Sequence, residues 1–182
     1  MKHTERRSAS CHCGAFTLRA EGPPIVTTAC YCKSCRTAAA ELTTGGAGEN
    51  ESLLEADGGT LCTLFRKDRV HWSSSVLRER RLTPKSKTRR VVASCCNTPM
   101  FMEFTNGHWL SLYTRRFPRA DQPPLETRVM TRDAPEGTCF ADDVPAAAGH
   151  SFGFFVRLLW AWARMGFRTP TLDIARSAHD AV

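Results

Sequence analysis

Residues 23–35 read PPIVTTACYCKSC, and this stretch decides the fold. The Gly22-Pro23-Pro24 break precedes a β-branched run, so a strand is expected from Ile25 into a cysteine knuckle. On an extended chain residues i and i+2 point the same way, so Cys30 and Cys32 offer two sulfurs to one ion. Cys35 adds the Cys-x-x-Cys spacing, whose turn brings a third sulfur to the same place. Soft thiolates in such a set select Zn²⁺ among the common divalent ions. Iron–sulfur ligation is the competing reading.

Upstream, residues 8–19, SASCHCGAFTLR, repeat the device. Cys11 and Cys13 form a second Cys-x-Cys pair entering a strand from a turn at Gly14. His12 falls on the opposite face and reads as a surface or packing histidine. Downstream, residues 43–60 carry TTGGAGENES and DGG, which mark loops. TLCTLF, RVHW and VLRERRL then follow at short spacing, the pattern of a small antiparallel β domain. VVASCCNTPMFMEF and HWLSLYTRRF are two further strands around the Asn106-Gly107 turn. His71 and His108 sit beside tryptophans in these strands and read as core-edge residues.

Nine cysteines are present in 182 residues. Seven fall in three tight clusters, Cys11/Cys13, Cys30/Cys32/Cys35 and Cys95/Cys96, which points to metal rather than disulfides. Cys62 and Cys139 stand apart. The amino-terminal MKHTERRSAS lacks the apolar stretch of a secretory signal, so a soluble, cytoplasmic chain is expected. The formal charge is +7, but seven thiolates holding two zinc ions lower it to about +4. That weakens any nucleic-acid reading. The basic run Arg78–Arg90 is expected to be a solvated strand pair rather than an anion-binding face.

The chain divides into residues 1–117, a zinc-binding β domain, and 118–182, an irregular connection followed by a helix. That helix, SFGFFVRLLWAWARMGFR, has Ser151 as its N-cap and Gly166 and Pro170 near its end. It is too short and too interrupted by arginine to span a bilayer. Its apolar surface needs cover from its own domain, a second copy of the chain or a membrane surface. A homodimer through this helix is therefore one of the expected partnerships.

The motifs SCHCGAF, ACYCKSCRTA and CCNTPMF, in this order and at these distances, resemble the glutathione-dependent formaldehyde-activating enzyme superfamily, which includes centromere protein V domains. The resemblance covers residues 9–117. It is closer still to a branch carrying LEADGGT, an LTPK-like segment and a double cysteine before Asn-Thr-Pro. It implies a mainly β, Mss4-like zinc fold. It also implies a carbon–sulfur lyase acting on a glutathione–aldehyde adduct of the S-hydroxymethylglutathione type. Under the resemblance Cys30, Cys32 and Cys35 hold a catalytic zinc with an open position, and Cys11 and Cys13 hold a structural zinc with later cysteines. Lys33 and Arg36, beside the open site, are the candidate contacts for carboxylates of the thiol substrate.

The sequence departs from the family pattern at the last motif. Cys96 aligns with its second cysteine, Ala93 stands where the first belongs, and Asn97 replaces a glycine. On a strand Cys95 and Cys96 would face opposite ways. Cys95 then either closes the Cys30/Cys32/Cys35 site or, swung by a local turn, joins Cys11, Cys13 and Cys96. The turn-forming Asn97-Thr98-Pro99 favours the second arrangement. The enzyme reading is preferred, and its alternative is a non-catalytic, zinc-stabilised interaction module.

Overall fold

A computed structural model describes residues 5–43, 52–73, 76–172 and 174–176. The Gly-rich part of the loop expected over 43–60 lies largely outside them. The β-branched and alternating runs form β1 (Arg6–Ser10), β2 (Thr17–Glu21), β3 (Val26–Cys30), β4 (Thr60–Arg66), β5 (Val70–His71), β6 (Leu77–Arg80), β7 (Thr88–Ala93), β8 (Thr98–Phe104) and β9 (Trp109–Tyr113). Two short strands follow, β10 (Thr127–Val129) and β11 (Ala175–Arg176). Two α-helices complete the described chain, α1 (Lys33–Thr43) and α2 (Phe152–Ala163).

The strands make a small sheet, β1-β2-β5, and an eight-stranded sheet ordered β10-β3-β4-β9-β8-β7-β6-β11. The fold is thus mainly β, with cysteine clusters placed as in an Mss4-like zinc domain. Alternation along the strands separates two cores. Phe65, Val91, Phe101 and Leu112 face Phe16 and Leu18 of the small sheet. Their neighbours Leu64, Met102 and Tyr113 face the other way, where Cys35 and Ala39 of α1 and Phe154 and Leu158 of α2 cover them.

The cysteine knuckle expected after the strand from Ile25 opens into helix α1, which that expectation did not include. The Cys32 carbonyl accepts the amides of Cys35 at 3.0 Å and Arg36 at 3.1 Å. Its sulfur lies 3.4 Å from the Cys35 amide, the position an N-cap side chain occupies. The helix-favouring run Ala38-Ala39-Ala40-Glu41-Leu42 then continues it. The stretch expected to be irregular contains β10, which pairs in parallel with β3.

The basic run also differs from its expected solvation. β6 and β7 do pair, with Arg80 opposite Arg90; Lys85 and Lys87 are exposed, yet Arg81, Arg89 and Arg90 turn inward. Arg89 and buried Lys67 share Glu103, while Arg89 and Arg81 each reach Glu79 at 3.2 Å. Arg89 donates also to the Leu172 carbonyl at 2.8 Å, tying the carboxy-terminal segment to the sheet.

Helix α2 starts as expected, with Ser151 Oγ accepting the Phe154 amide at 3.2 Å. Its carbonyl at Leu158 accepts from His108 Nε2 at 2.9 Å, and the His108 ring stacks on Trp162 at 5.5 Å. Burial holds the His108 imidazole below the usual histidine range against the pull of that carbonyl, and the Lys67 ammonium adds to the depression. The unfolded chain therefore takes up this proton more readily than the native one. The stability it contributes is full above the unfolded value of about 6.5 and is lost as pH falls through the lower native value. Acidification is expected to lower the melting temperature and shift Trp162 fluorescence, with a slope of at most about 1.4 kcal/mol per pH unit from this group. His108→Gln should flatten that part of the profile, and an unchanged slope would count against the assignment.

Candidate functional site

The β1–β2 turn and the β7–β8 turn meet at one edge of the sandwich. Gly14, at φ 76°, lets the first turn close beneath Cys11, where only glycine is unstrained. The Cys11 sulfur accepts the Phe16 amide at 3.2 Å. In the second turn β7 ends at Ala93 and β8 starts at Thr98. Cys95 and Cys96 are therefore turn residues, and strand alternation does not separate their sulfurs. Asn97 has φ 54°, a left-handed conformation that asparagine tolerates better than most residues. This is why it can replace the glycine of the resembled motif.

The result is a four-sulfur cluster. Cys11 and Cys13 Sγ are 3.6 Å apart, Cys11 and Cys95 3.7 Å, Cys13 and Cys95 3.5 Å, and Cys95 and Cys96 3.8 Å. A tetrahedron with metal–sulfur bonds of 2.3 Å has edges of about 3.8 Å. All nine cysteines are free thiols, and these spacings are far beyond the ~2.05 Å of a disulfide. The donor set therefore fits a closed zinc site. Thr98 braces it: its hydroxyl accepts the His12 amide at 3.1 Å and lies 2.9 Å from the Cys96 sulfur. Burial would raise the Cys96 thiol, but the Thr98 hydroxyl and nearby backbone amides prevail and hold it at about 6. Burial and its thiol neighbours push Cys95 up to about 12.

The second cluster lies on the helical face. The end of β3 supplies Cys30, the link to α1 supplies Cys32, and the first turn of α1 supplies Cys35. Their sulfurs lie within 4.8 Å of one another, and no fourth His, Cys, Asp or Glu donor joins them among the described residues. Cys30 and Cys32 are half-buried and Cys35 is buried. Hydrogen bonds from the Cys30 and Cys35 thiols bring the Cys32 thiol down to about 2 against its burial, helped by the Cys35 amide and the field of Arg90. Its hydrogen bond to Cys32 moves Cys30 up to about 12.

Two supports of this cluster were not evident from the sequence. Tyr31, between two of the cysteines, is fully buried and donates to Asp57 Oδ2 at 2.6 Å. A Cβ at Gly59 would lie 2.9 Å from the Tyr31 ring. The DGG of LEADGGT is therefore the seat of the residue that fixes Cys30 and Cys32. Arg90, only 2% exposed, donates through Nη2 to the Ser34 carbonyl at 2.8 Å and to its hydroxyl at 2.9 Å. Its Nε and Nη1 are buried with no hydrogen-bond partner. His150 contacts the rings of Phe154 and Phe155. Burial lowers its imidazole, while the charge on Cys32 pulls the other way.

The remaining expected residues are placed plainly. Lys33 is exposed beside the cluster. Arg36 donates through Nη1 to the Asp133 carbonyl at 2.8 Å, so its guanidinium is engaged in holding a loop. His12 is exposed and His71 likewise. Cys62 is buried in β4, where burial pushes its thiol well up, and Cys139 is exposed. No helix among the described residues is long and apolar enough to cross a membrane.

Comparison with known proteins agrees with the geometry. No curated protein matches the chain. Residues 6–114, more than half of the 182, match the family described as Glutathione-dependent formaldehyde-activating enzyme. The match runs through both cysteine-bearing turns and the Cys30–Cys35 knuckle, and the chain belongs to the glutathione-dependent formaldehyde-activating enzyme family.

Proposed function

We propose that this protein is a carbon–sulfur lyase that makes and breaks the bond between glutathione and a small aldehyde. Cys11, Cys13, Cys95 and Cys96 would hold a structural zinc ion, and Cys30, Cys32 and Cys35 a second one. The observation that carries the reading is the inequality of the two clusters, four converging sulfurs in one and three in the other. A closed set is a staple, whereas three protein ligands leave a coordination position for substrate. The chemistry zinc supplies when bound there is the acidification of an entering thiol, which makes it a nucleophile at neutral pH.

The chain's own residues do the rest. Tyr31, seated on Asp57 and Gly59, and Arg90, seated on Ser34, hold the three cysteines in place. In the condensing direction the glutathione sulfur attacks the aldehyde carbon, a C–S bond forms, and the carbonyl oxygen takes a proton. In the lytic direction the adduct's hydroxyl gives up that proton, the C=O bond reforms, and the C–S electron pair returns to sulfur. Nothing is oxidised or reduced. His150, which precedes the amino-terminal cap of α2, is the imidazole we assign to that proton. Exposed Lys33 supplies a cation for a carboxylate of the thiol.

Cys32→Ser is the direct test. The variant should keep one zinc ion and its β circular dichroism while losing acceleration of S-hydroxymethylglutathione formation, measured by proton exchange spectroscopy. Wild-type protein with two zinc ions and no acceleration, unperturbed by glutathione, would instead favour the interaction module. The apolar surface of α2 is the observation on that side.

A further inference from the structure

Helix α2 carries two apolar seams rather than one. Phe154, Leu158, Ala161 and Met165, at helical spacing, are buried against the domain. Phe152, Phe155, Val156, Leu159 and Trp160, at positions i, i+3, i+4, i+7 and i+8, form a second stripe left between 46% and 84% exposed. A surface helix in a folded domain keeps such positions polar. At the ~150–250 Å² that an aromatic side chain offers, the stripe presents roughly 600 Å² of contiguous apolar surface. That exceeds the few hundred Å² tolerated on a typical monomer.

We propose that this stripe is the interface of an isologous homodimer, α2 packing antiparallel on α2 of a second copy. Three observations choose that occupant. First, pairing the stripe with itself would remove about 1,200 Å² in total, at the threshold for a specific interface. Second, the stripe has the i, i+3, i+4 spacing by which one helix seats its ridges in the grooves of another. Third, the cations are arranged for antiparallel pairing and against a lipid surface. Arg164 and Arg168 stand exposed together beyond the carboxy-terminal end of α2. Arg157, on the helix flank, is engaged by Glu126. A helix lying in a headgroup layer carries its cations along its flanks. An antiparallel pair instead keeps the two arginine pairs at opposite ends of the interface, where a parallel pair would bring them together, and it aligns opposed dipoles.

Sedimentation equilibrium of the full-length, zinc-loaded protein over a concentration series tests this. A mass of two chains is expected. Val156→Glu and Leu159→Glu should each weaken the dimer at least ~30-fold, and Phe152→Ser more mildly. All three should retain the zinc content and circular dichroism of the parent, since none of these side chains packs in the domain core. A monomer at every concentration would overturn the proposal, as would a dimer indifferent to all three substitutions. Co-sedimentation of the monomer with phosphatidylcholine–phosphatidylglycerol vesicles, lost on Leu159→Glu, would also overturn it and assign the stripe to a membrane surface. The proposal stands independently of the lyase reading, since none of its measurements uses turnover.

Discussion

Cys13→Ser or Cys95→Ser is expected to release one of two zinc ions and abolish the cooperative folding transition at ordinary temperature. The four sulfurs join two turns that are far apart in sequence, and the cluster sits at the end of the core shared by the two sheets. Binding of a structural zinc by such a set is worth about 10–16 kcal/mol of apparent free energy. That is as large as the ~5–15 kcal/mol by which a domain is stable at all. Chelation of this ion should have the same consequence as the substitutions, whereas Cys32→Ser, in the other cluster, should leave the fold standing. Thermal unfolding followed alongside zinc release reads both outcomes. A Cys95→Ser variant that keeps its transition and both ions would show that Cys95 is not a ligand.

The second large effect is expected at Arg90. A guanidinium cannot shed its charge, and burying it without an anion is costly. Two other buried cations have carboxylates: Lys67 has Glu103 and Arg128 has Asp143. The field of Arg90 bears on two thiols and a phenol, Cys32, Cys62 and Tyr113. Three thiolates and a dication leave one negative charge, which a single guanidinium balances. Arg90→Met should therefore act in opposite directions on the two forms of the protein. Metal affinity at the three-cysteine site should fall about 10–100-fold, as for loss of an outer support to a metal site. Stability of protein stripped at that site should hold or rise, because the buried charge has gone. Competition with a chromophoric chelator and denaturant unfolding measure the two. A loss of stability in both forms would reduce Arg90 to a packing residue.

Legibility in the sequence follows from the physics of each element. Strands β2, β4, β8 and β9 were readable because period-two alternation and the Asn106-Gly107 turn are local properties of the chain. The carboxy-terminal helix was readable from its Ser151 cap and its apolar periodicity. Helix α1 was hidden because its capping residue is a cysteine, a type read first for its sulfur, and the alanines that follow carry no amphipathic pattern. β10 and β11 are three and two residues long and pair in parallel with β3 and β6, which no local signal records. The burial of Arg90 was hidden in a run of cations. Depth depends on what α1 lays over that strand face, and α1 was missing from the sequence reading. The cysteine sets were legible as to membership and ambiguous as to partition, since Cys95 can be allotted only when the ends of β7 and β8 are known.

The central claim, that one cluster is closed and the other open, is tested most directly by zinc K-edge X-ray absorption with and without glutathione. With sites of four and three cysteines the average should be about 3.5 sulfurs per zinc, the rest being light atoms, and should rise to about 4 when the thiol is added. Four sulfurs per zinc before glutathione, unchanged after it, would contradict the account.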